Sequence, residues 1–136
     1  MNKIDQLKAK YPGAIAWSFG DSPEMADELA ELVIRGIKTA SCCSLSSFND
    51  DDESPTIGCY SIILNGKDQP VSVVRTLAMR IVRFCDVTEE LARKEGEGDL
   101  SLTYWREGHK NFFINEGTYA ETMELVVEEF ERVEIV

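Results

Sequence analysis

The chain is short of the residues that usually build metal centres and catalytic triads: among 136 residues there is one histidine, His109, and four cysteines. Cys42, Cys43, Cys59 and Cys85 contain no C-x-x-C pair, and a lone histidine leaves a mixed Cys/His zinc site little to work with. Cys42 and Cys43 are neighbours, so a strand would point them to opposite faces. Reduced packing thiols are therefore expected, with no metal and no cofactor. A Ser-His-Asp triad built on His109 has no supporting motif. No apolar run approaches the length that crosses a bilayer. Residues 1–8 alternate charged and apolar side chains, unlike the apolar stretch of a signal peptide, so a cytoplasmic protein without membrane contact is expected.

Positive charge is scarce as well. Fourteen Lys and Arg stand against 25 Asp and Glu, a net charge of −11. Non-specific nucleic-acid binding depends on neutralising phosphates with cations, so a broad RNA or DNA surface is disfavoured. The acids gather at residues 50–53, 95–99 and 121–134. That leaves Arg35, Lys38, Arg75, Arg80 and Arg83 free to form a local basic pocket. A small nucleoside-like ligand or short RNA is compatible with this balance; DNA is not expected.

What is present fits one folded domain over residues 1–136, with 43% hydrophobic and 29% charged residues and no internal repeat or linker. Residues 1–12 read as a short amphipathic helix stopped at Tyr11-Pro12-Gly13. Ser22 is a good N-cap, Pro23 suits the first helical position, and Met25, Ala26, Leu29, Leu32 and Val33 recur at helical spacing. Gly36 supplies a left-handed residue past the end of that Pro23–Arg35 helix. A strand-like segment is predicted over 38–45, an acidic loop over 48–55, and a strand over 59–64 before the Asn65-Gly66 turn. Residues 71–76 and 79–84 read as strand segments broken by a bulge. Thr88 caps a helix to about Lys94, residues 95–99 are irregular, and Ser101 opens another helix. Residues 123–136 form a long bent strand. The expected class is α+β, a small closed or nearly closed β-barrel flanked by helices.

Several blocks carry a family resemblance: Trp17-Ser18-Phe19-Gly20-Asp21, Ala26-Asp27-Glu28-Leu29-Ala30, and Leu32-Val33-x-x-Gly36-x-Lys38-Thr39-Ala40-Ser41. They continue through Val74-Arg75-Thr76, Glu95-Gly96-Glu97-Gly98-Asp99-x-Ser101-Leu102-x-x-Trp105-Arg106-x-x-His109, Phe112-Phe113 and Val127-x-x-Phe130. Over nearly its whole length the chain resembles the ASCH family, a branch of the PUA-like barrel fold. It departs at Gly58-Cys59, where many relatives have Gly-Asp, and Leu77-Ala78-Met79-Arg80 is less typical. The resemblance implies a cleft beside the Gly-x-Lys segment, acting on RNA or nucleosides. Some short members hydrolyse the amide of N-acetylated cytidine with a lysine, a hydroxyl residue three positions later and a glutamate. Others have been proposed as ribonucleases or RNA-binding regulators linked to translation, and this chain resembles the longer type.

The chemistry centres on Lys38 and Ser41. A hydroxyl is a weak nucleophile until a base takes its proton, and a lysine can serve if burial lowers its pKa. On a straight strand these two would face opposite ways, so the segment must bend as it leaves the helix, which Gly36 permits. Spacing alone favours a snorkelling surface Lys38 and a turn residue at Ser41; the resemblance reverses that order. The resemblance implies Lys38, Ser41, Glu95 and Glu97 as the catalytic set, a glutamate positioning water or protonating a leaving amine. It also implies Gly36, Thr39, Arg75, Asp99, Ser101 and Tyr104 as ligand contacts. Arg75 is the expected pocket cation, gripping a phosphate or a base edge. The acidic loop has a plainer reading too: Asp99 or Ser101 capping the next helix. Glycines around Glu95 and Glu97 would allow close backbone approach to a ligand. Trp105 is expected in the core, with His109 on the same helical face.

Overall fold

The computed structural model describes residues 2–51 and 53–136. Its elements are α1 (Lys3–Lys10), β1 (Ile15–Trp17), α2 (Pro23–Ile34), β2 (Ala40–Ser44), α3 (Leu45–Asp50), β3 (Tyr60–Leu64), β4 (Pro70–Arg83), α4 (Glu89–Glu95), α5 (Leu102–Glu116) and β5 (Glu124–Ile135). A 3-10 turn at Phe84–Asp86 joins β4 to α4. The five strands form one curled, half-barrel sheet in the order β1-β3-β4-β5-β2. Only β1 and β3 pair in parallel. The fold is α+β, as expected.

Helix starts follow the local chemistry closely. Asn2, Ser22, Thr88 and Ser101 each accept a hydrogen bond from a backbone N–H of the first turn they cap. Pro23 occupies the first turn of α2. Beyond α2, Gly36 is left-handed, and the N–H groups of Gly36 and Ile37 donate back to Val33 and Leu32 carbonyls.

Alternation along the strands distributes the core. Ile62 and Val73 face one side of the sheet and pack with Leu7 of α1 and Ala14. Their neighbours Ile63 and Val74 face the other side, with Phe130, and pack with Leu29, Ala30 and Val33 of α2. Leu125 and Val127 of β5 pack with Leu91 and Ala92 of α4 and with Trp105 and Phe113 of α5.

Three expectations are corrected. The acidic segment begins as helix α3, capped by the Ser44 hydroxyl, rather than as a loop. Residues 71–76 and 79–84 belong to one strand, Pro70–Arg83, whose register shifts at the expected bulge between Thr76 and Ala78, but Phe84 falls outside it, in the 3-10 turn. The three-residue strand β1, unforeseen in the sequence, forms one edge of the sheet. No helix among the described residues is long and apolar enough to cross a membrane.

Candidate functional site

The segment between α2 and β2 turns sharply. The Lys38 N–H donates to Leu32 O, and the Thr39 N–H donates to Lys94 O at 2.7 Å. The Thr39 hydroxyl donates to the same carbonyl at 3.3 Å. This double attachment ties the segment to the end of α4 and drives the Lys38 side chain inward, where it is only 2% exposed. The bend that Lys38 and Ser41 require is thus present, and both residues line one cavity of about 160 Å³.

Carboxylates meet the buried ammonium. Lys38 Nζ lies 3.2 Å from Glu97 Oε2 and 3.6 Å from Glu95 Oε1, and donates to the Glu95 carbonyl at 3.3 Å. It also sits 5.3 Å above the Phe19 ring. Glu95, 1% exposed, closes the last turn of α4. Its Oε2 accepts hydrogen bonds from the Trp105 indole N–H and from the Cys42 thiol at 3.7 Å, and lies 3.2 Å from His109 Nε2. His109 stacks on Trp105 with ring centroids 4.1 Å apart, and its Nδ1 lies 2.9 Å from the Trp105 carbonyl. Both imidazole nitrogens therefore face acceptor oxygens, the arrangement that suits the doubly protonated ring.

Burial and charge oppose one another throughout this cluster. Burial alone would depress Lys38, but Glu95 and Glu97 outweigh it and hold the ammonium above its ordinary pKa. Burial would raise Glu95, yet Lys38, His109 and Trp105 bring it down to about 2. Desolvation disfavours charged His109, and Glu95 overcomes this to raise its pKa. These shifts correct the expectation of Lys38 as a base. A lysine held protonated donates hydrogen bonds and stabilises negative charge, but it takes no proton.

Ser41 lies at the boundary of this cavity with a second one. No side chain among the described residues hydrogen-bonds its hydroxyl. Directly across the β2–β5 ladder stands Glu128, 5% exposed and not anticipated from the sequence. Glu128 accepts a hydrogen bond from the Thr76 hydroxyl. Burial raises its pKa, and the opposing influences of Thr76 and Lys38 do not cancel that rise. A buried carboxyl whose pKa is raised, on the strand position paired with Ser41, has the character of a candidate general base. The only hint in the sequence was the glutamate pair 128–129 set between the apolar Val127 and Phe130.

The remaining expected contacts divide. Tyr104 lines the cavity with Phe19, Met25, Trp105, His109 and Phe112. Gly36 and Thr39 shape the bend but are not part of the wall. Asp99 accepts from the Ser101 N–H at 2.9 Å, and Ser101 caps α5, so both build the helix start. Arg75 lies elsewhere on β4, with Nε donating to Gly58 O at 3.3 Å and the guanidinium over the Tyr60 ring. Nor do the expected basic residues converge. Of Arg35, Lys38, Arg75, Arg80 and Arg83, only Lys38 reaches the cavity. The glycines of the 95–99 segment serve the fold, not a ligand. A side chain at Gly96 would strike the Ile37 carbonyl, and one at Gly98 the Tyr104 ring.

Cys42, Glu95 and His109 present one donor atom each within 4.8 Å of one another, a spacing a metal could use. Its chemistry fits poorly here. The Lys38 ammonium lies 3.6 Å from Glu95, so a cation bound there would sit beside an existing positive charge.

Comparison with known proteins agrees with the architecture. The family model described as ASCH domain matches residues 15–134. The crystal structure of an ASCH domain from Lactobacillus crispatus superposes with a TM-score of 0.84 at 30% identity, covering 98% of this chain and 86% of that one. A protein from Enterococcus faecalis superposes at 0.79 with 38% identity, covering 88% and 76%. An ASCH protein from Zymomonas mobilis, at 9% identity and a TM-score of 0.57 over 90% and 71% of the two chains, shares the fold. No functionally curated protein matches the sequence. With a matching family model over most of its length and an architecture shared with ASCH structures, the chain belongs to the ASCH domain family.

Proposed function

We propose that this protein hydrolyses the amide of an acylated, cytidine-type nucleoside. The observation that carries this reading is the charge balance of an aromatic cavity containing the buried Lys38 ammonium and bordered by Ser41. Lys38 and protonated His109 are matched by Glu95 and Glu97, and no further Lys or Arg lines the wall. Such a site has no surplus cation for a phosphate, whereas a neutral heteroaromatic ring with hydrogen-bonding edges suits it. Its size agrees: a cavity of about 150 Å³ holds a benzene-sized ring. Ribonuclease activity and a non-catalytic RNA-binding role linked to translation both demand repeated phosphate contact, which these neighbours do not supply.

In this mechanism the Ser41 hydroxyl attacks the amide carbonyl and gives its proton to Glu128. Lys38 donates a hydrogen bond to the oxygen that gains negative charge. The C–N bond then breaks, the amine leaves with the proton from Glu128, and the acyl group remains on Ser41. Water, activated by Glu128, hydrolyses that ester and regenerates the hydroxyl. Glu95 keeps Lys38 and His109 oriented, and Glu97 at the mouth accepts from the ring edge. The test is chromatographic detection of cytidine released from N4-acetylcytidine, alongside a short RNA. Wild type should release cytidine and leave RNA intact. Ser41→Ala and Lys38→Ala should lose about 10²–10³-fold in rate while retaining a cooperative thermal transition. Cleaved RNA with intact acetylcytidine would overturn the assignment, as would acetylcytidine turnover unaffected by Ser41→Ala.

A further inference from the structure

A second cavity, of about 180 Å³, lies on the other side of Ser41. Ser41 and Cys42 line both cavities, so the two adjoin along this part of β2. The second cavity lies between β1 and β2, the two edges of the curled sheet, with α3 and the segment after it forming its outer wall. Its character differs from that of the first. Phe48, Pro55, Met79 and Val126 supply an apolar wall, and no Lys or Arg is among its lining residues. Its acids are Asp51 and Glu128, which would repel a phosphate. Trp17 also lines it, and the Trp17 indole N–H is buried without a hydrogen-bond partner among the described residues. A buried donor left unpaired costs about 1–3 kcal/mol, so an acceptor in the cavity would be favoured.

We infer that this second cavity is the acyl subsite, and that it takes an uncharged acyl group larger than acetyl. The inference rests on the amide-hydrolase reading above. A nucleophile at the junction of two cavities divides its substrate there: the amine part lies where the edge-binding charges are, the acyl part where the walls are apolar. A cavity able to hold a six-membered ring is larger than an acetyl methyl can fill, and unfilled apolar volume loses contacts. The unpaired Trp17 N–H adds a preference for an acyl chain carrying an ether or carbonyl oxygen.

The experiment uses N4-acyl cytidines bearing acetyl, butanoyl, methoxyacetyl and benzoyl groups, with cytidylyl-cytidine as a competing occupant. Turnover is followed with wild type, and dissociation constants are measured by calorimetry with Ser41→Ala. Butanoyl and benzoyl should exceed acetyl by at least tenfold in binding or in kcat/KM. Ser47→Phe, which fills the cavity from α3, should reduce the benzoyl-to-acetyl ratio at least tenfold. Methoxyacetyl should exceed its isostere butanoyl in wild type, and Trp17→Phe should erase the difference. Binding that is flat along the series, or a ratio that survives Ser47→Phe, overturns the acyl subsite even if acetylcytidine is hydrolysed. Length-dependent binding without turnover instead upholds the subsite and removes the hydrolase assignment. Tighter binding of cytidylyl-cytidine than of every acyl nucleoside, weakened by Ser47→Phe, would give the cavity to a second nucleotide and overturn the inference.

Discussion

Glu95 and Glu128 are both buried carboxyls near Lys38, yet their surroundings push them in opposite directions. Glu95 is held at about 2, below its ordinary 4.5, so its contribution to stability is present above pH 4.5 and is lost as pH falls toward 2. Glu128 is raised, so the folded state favours its neutral form; that advantage is complete below pH 4.5 and disappears as pH rises through its folded pKa. Neutral replacements should therefore behave oppositely in thermal melts. Glu95→Gln removes one partner of a buried ion pair and should cost about 3–5 kcal/mol at pH 7, a deficit that shrinks between pH 4.5 and 2. Glu128→Gln should match wild type below pH 4.5 and melt higher at pH 7–8, while losing amide hydrolysis. A melting gain bought with lost turnover is the signature of a strained catalytic group. Equal destabilisation by both substitutions at pH 7 would count against these roles. Neither opposition was legible in the sequence. Glu95 was expected as a catalytic group and acts as a counter-ion because Trp105 and His109, one and two helical turns into α5, converge on its carboxylate.

Among the elements, those announced by caps and periodicity were the legible ones. Ser22-Pro23 and Gly36 bracket α2, Thr88 opens α4, and Ser101 opens α5, because these starts and stops are decided within a few residues of sequence. Strand β1 was not legible, since three residues carry no period and its pairing with Ile62 and neighbours joins segments about 46 positions apart. Helix α3 hid within an acid-rich stretch whose cap, Ser44, is also the last residue of β2. The 95–99 segment shows how an element end can mimic a ligand loop. Gly96 ends α4 with φ +76°, and its Cα packs against the Ile37 backbone on the chain that carries Lys38. Gly96→Ala therefore adds left-handed strain to a 2.8 Å contact with the Ile37 carbonyl. We expect a loss of about 1–3 kcal/mol in urea denaturation, together with a rise in KM as the Lys38 segment shifts. Ser101→Ala removes only a cap and should cost about 1 kcal/mol with KM unchanged, which separates fold support from ligand contact.

At the scale of the whole molecule, the deciding feature is where positive charge is absent. The expectation of a basic pocket assumed that Arg35, Arg75, Arg80 and Arg83 would gather around Lys38, because acids dominate three separate stretches of sequence. Folding distributes them instead. Arg80 pairs with Glu129, and Arg132 donates to the Ile34 carbonyl. Lys94 bridges Glu90 and Glu129. A polyanion approaching this surface meets a net charge of −11 with several cations already engaged by carboxylates. Each phosphate neutralised on a single strand would contribute about −0.7 to the slope of log K against log salt, and non-specific sites that rely on this effect reach a Kd of about 10⁻⁴–10⁻⁶ M at physiological salt. A 20-nucleotide RNA should therefore bind more weakly than about 10⁻⁴ M at 150 mM NaCl, with a slope shallower than about −1.5. Fluorescence anisotropy over 50–300 mM NaCl measures both quantities. A micromolar Kd with a slope near −4 would mean that about six phosphates find cations, and would return RNA to the place that a neutral nucleoside now holds. Lys38→Ala supplies the control: buried against two glutamates, its ammonium should leave that slope unchanged even where it abolishes turnover.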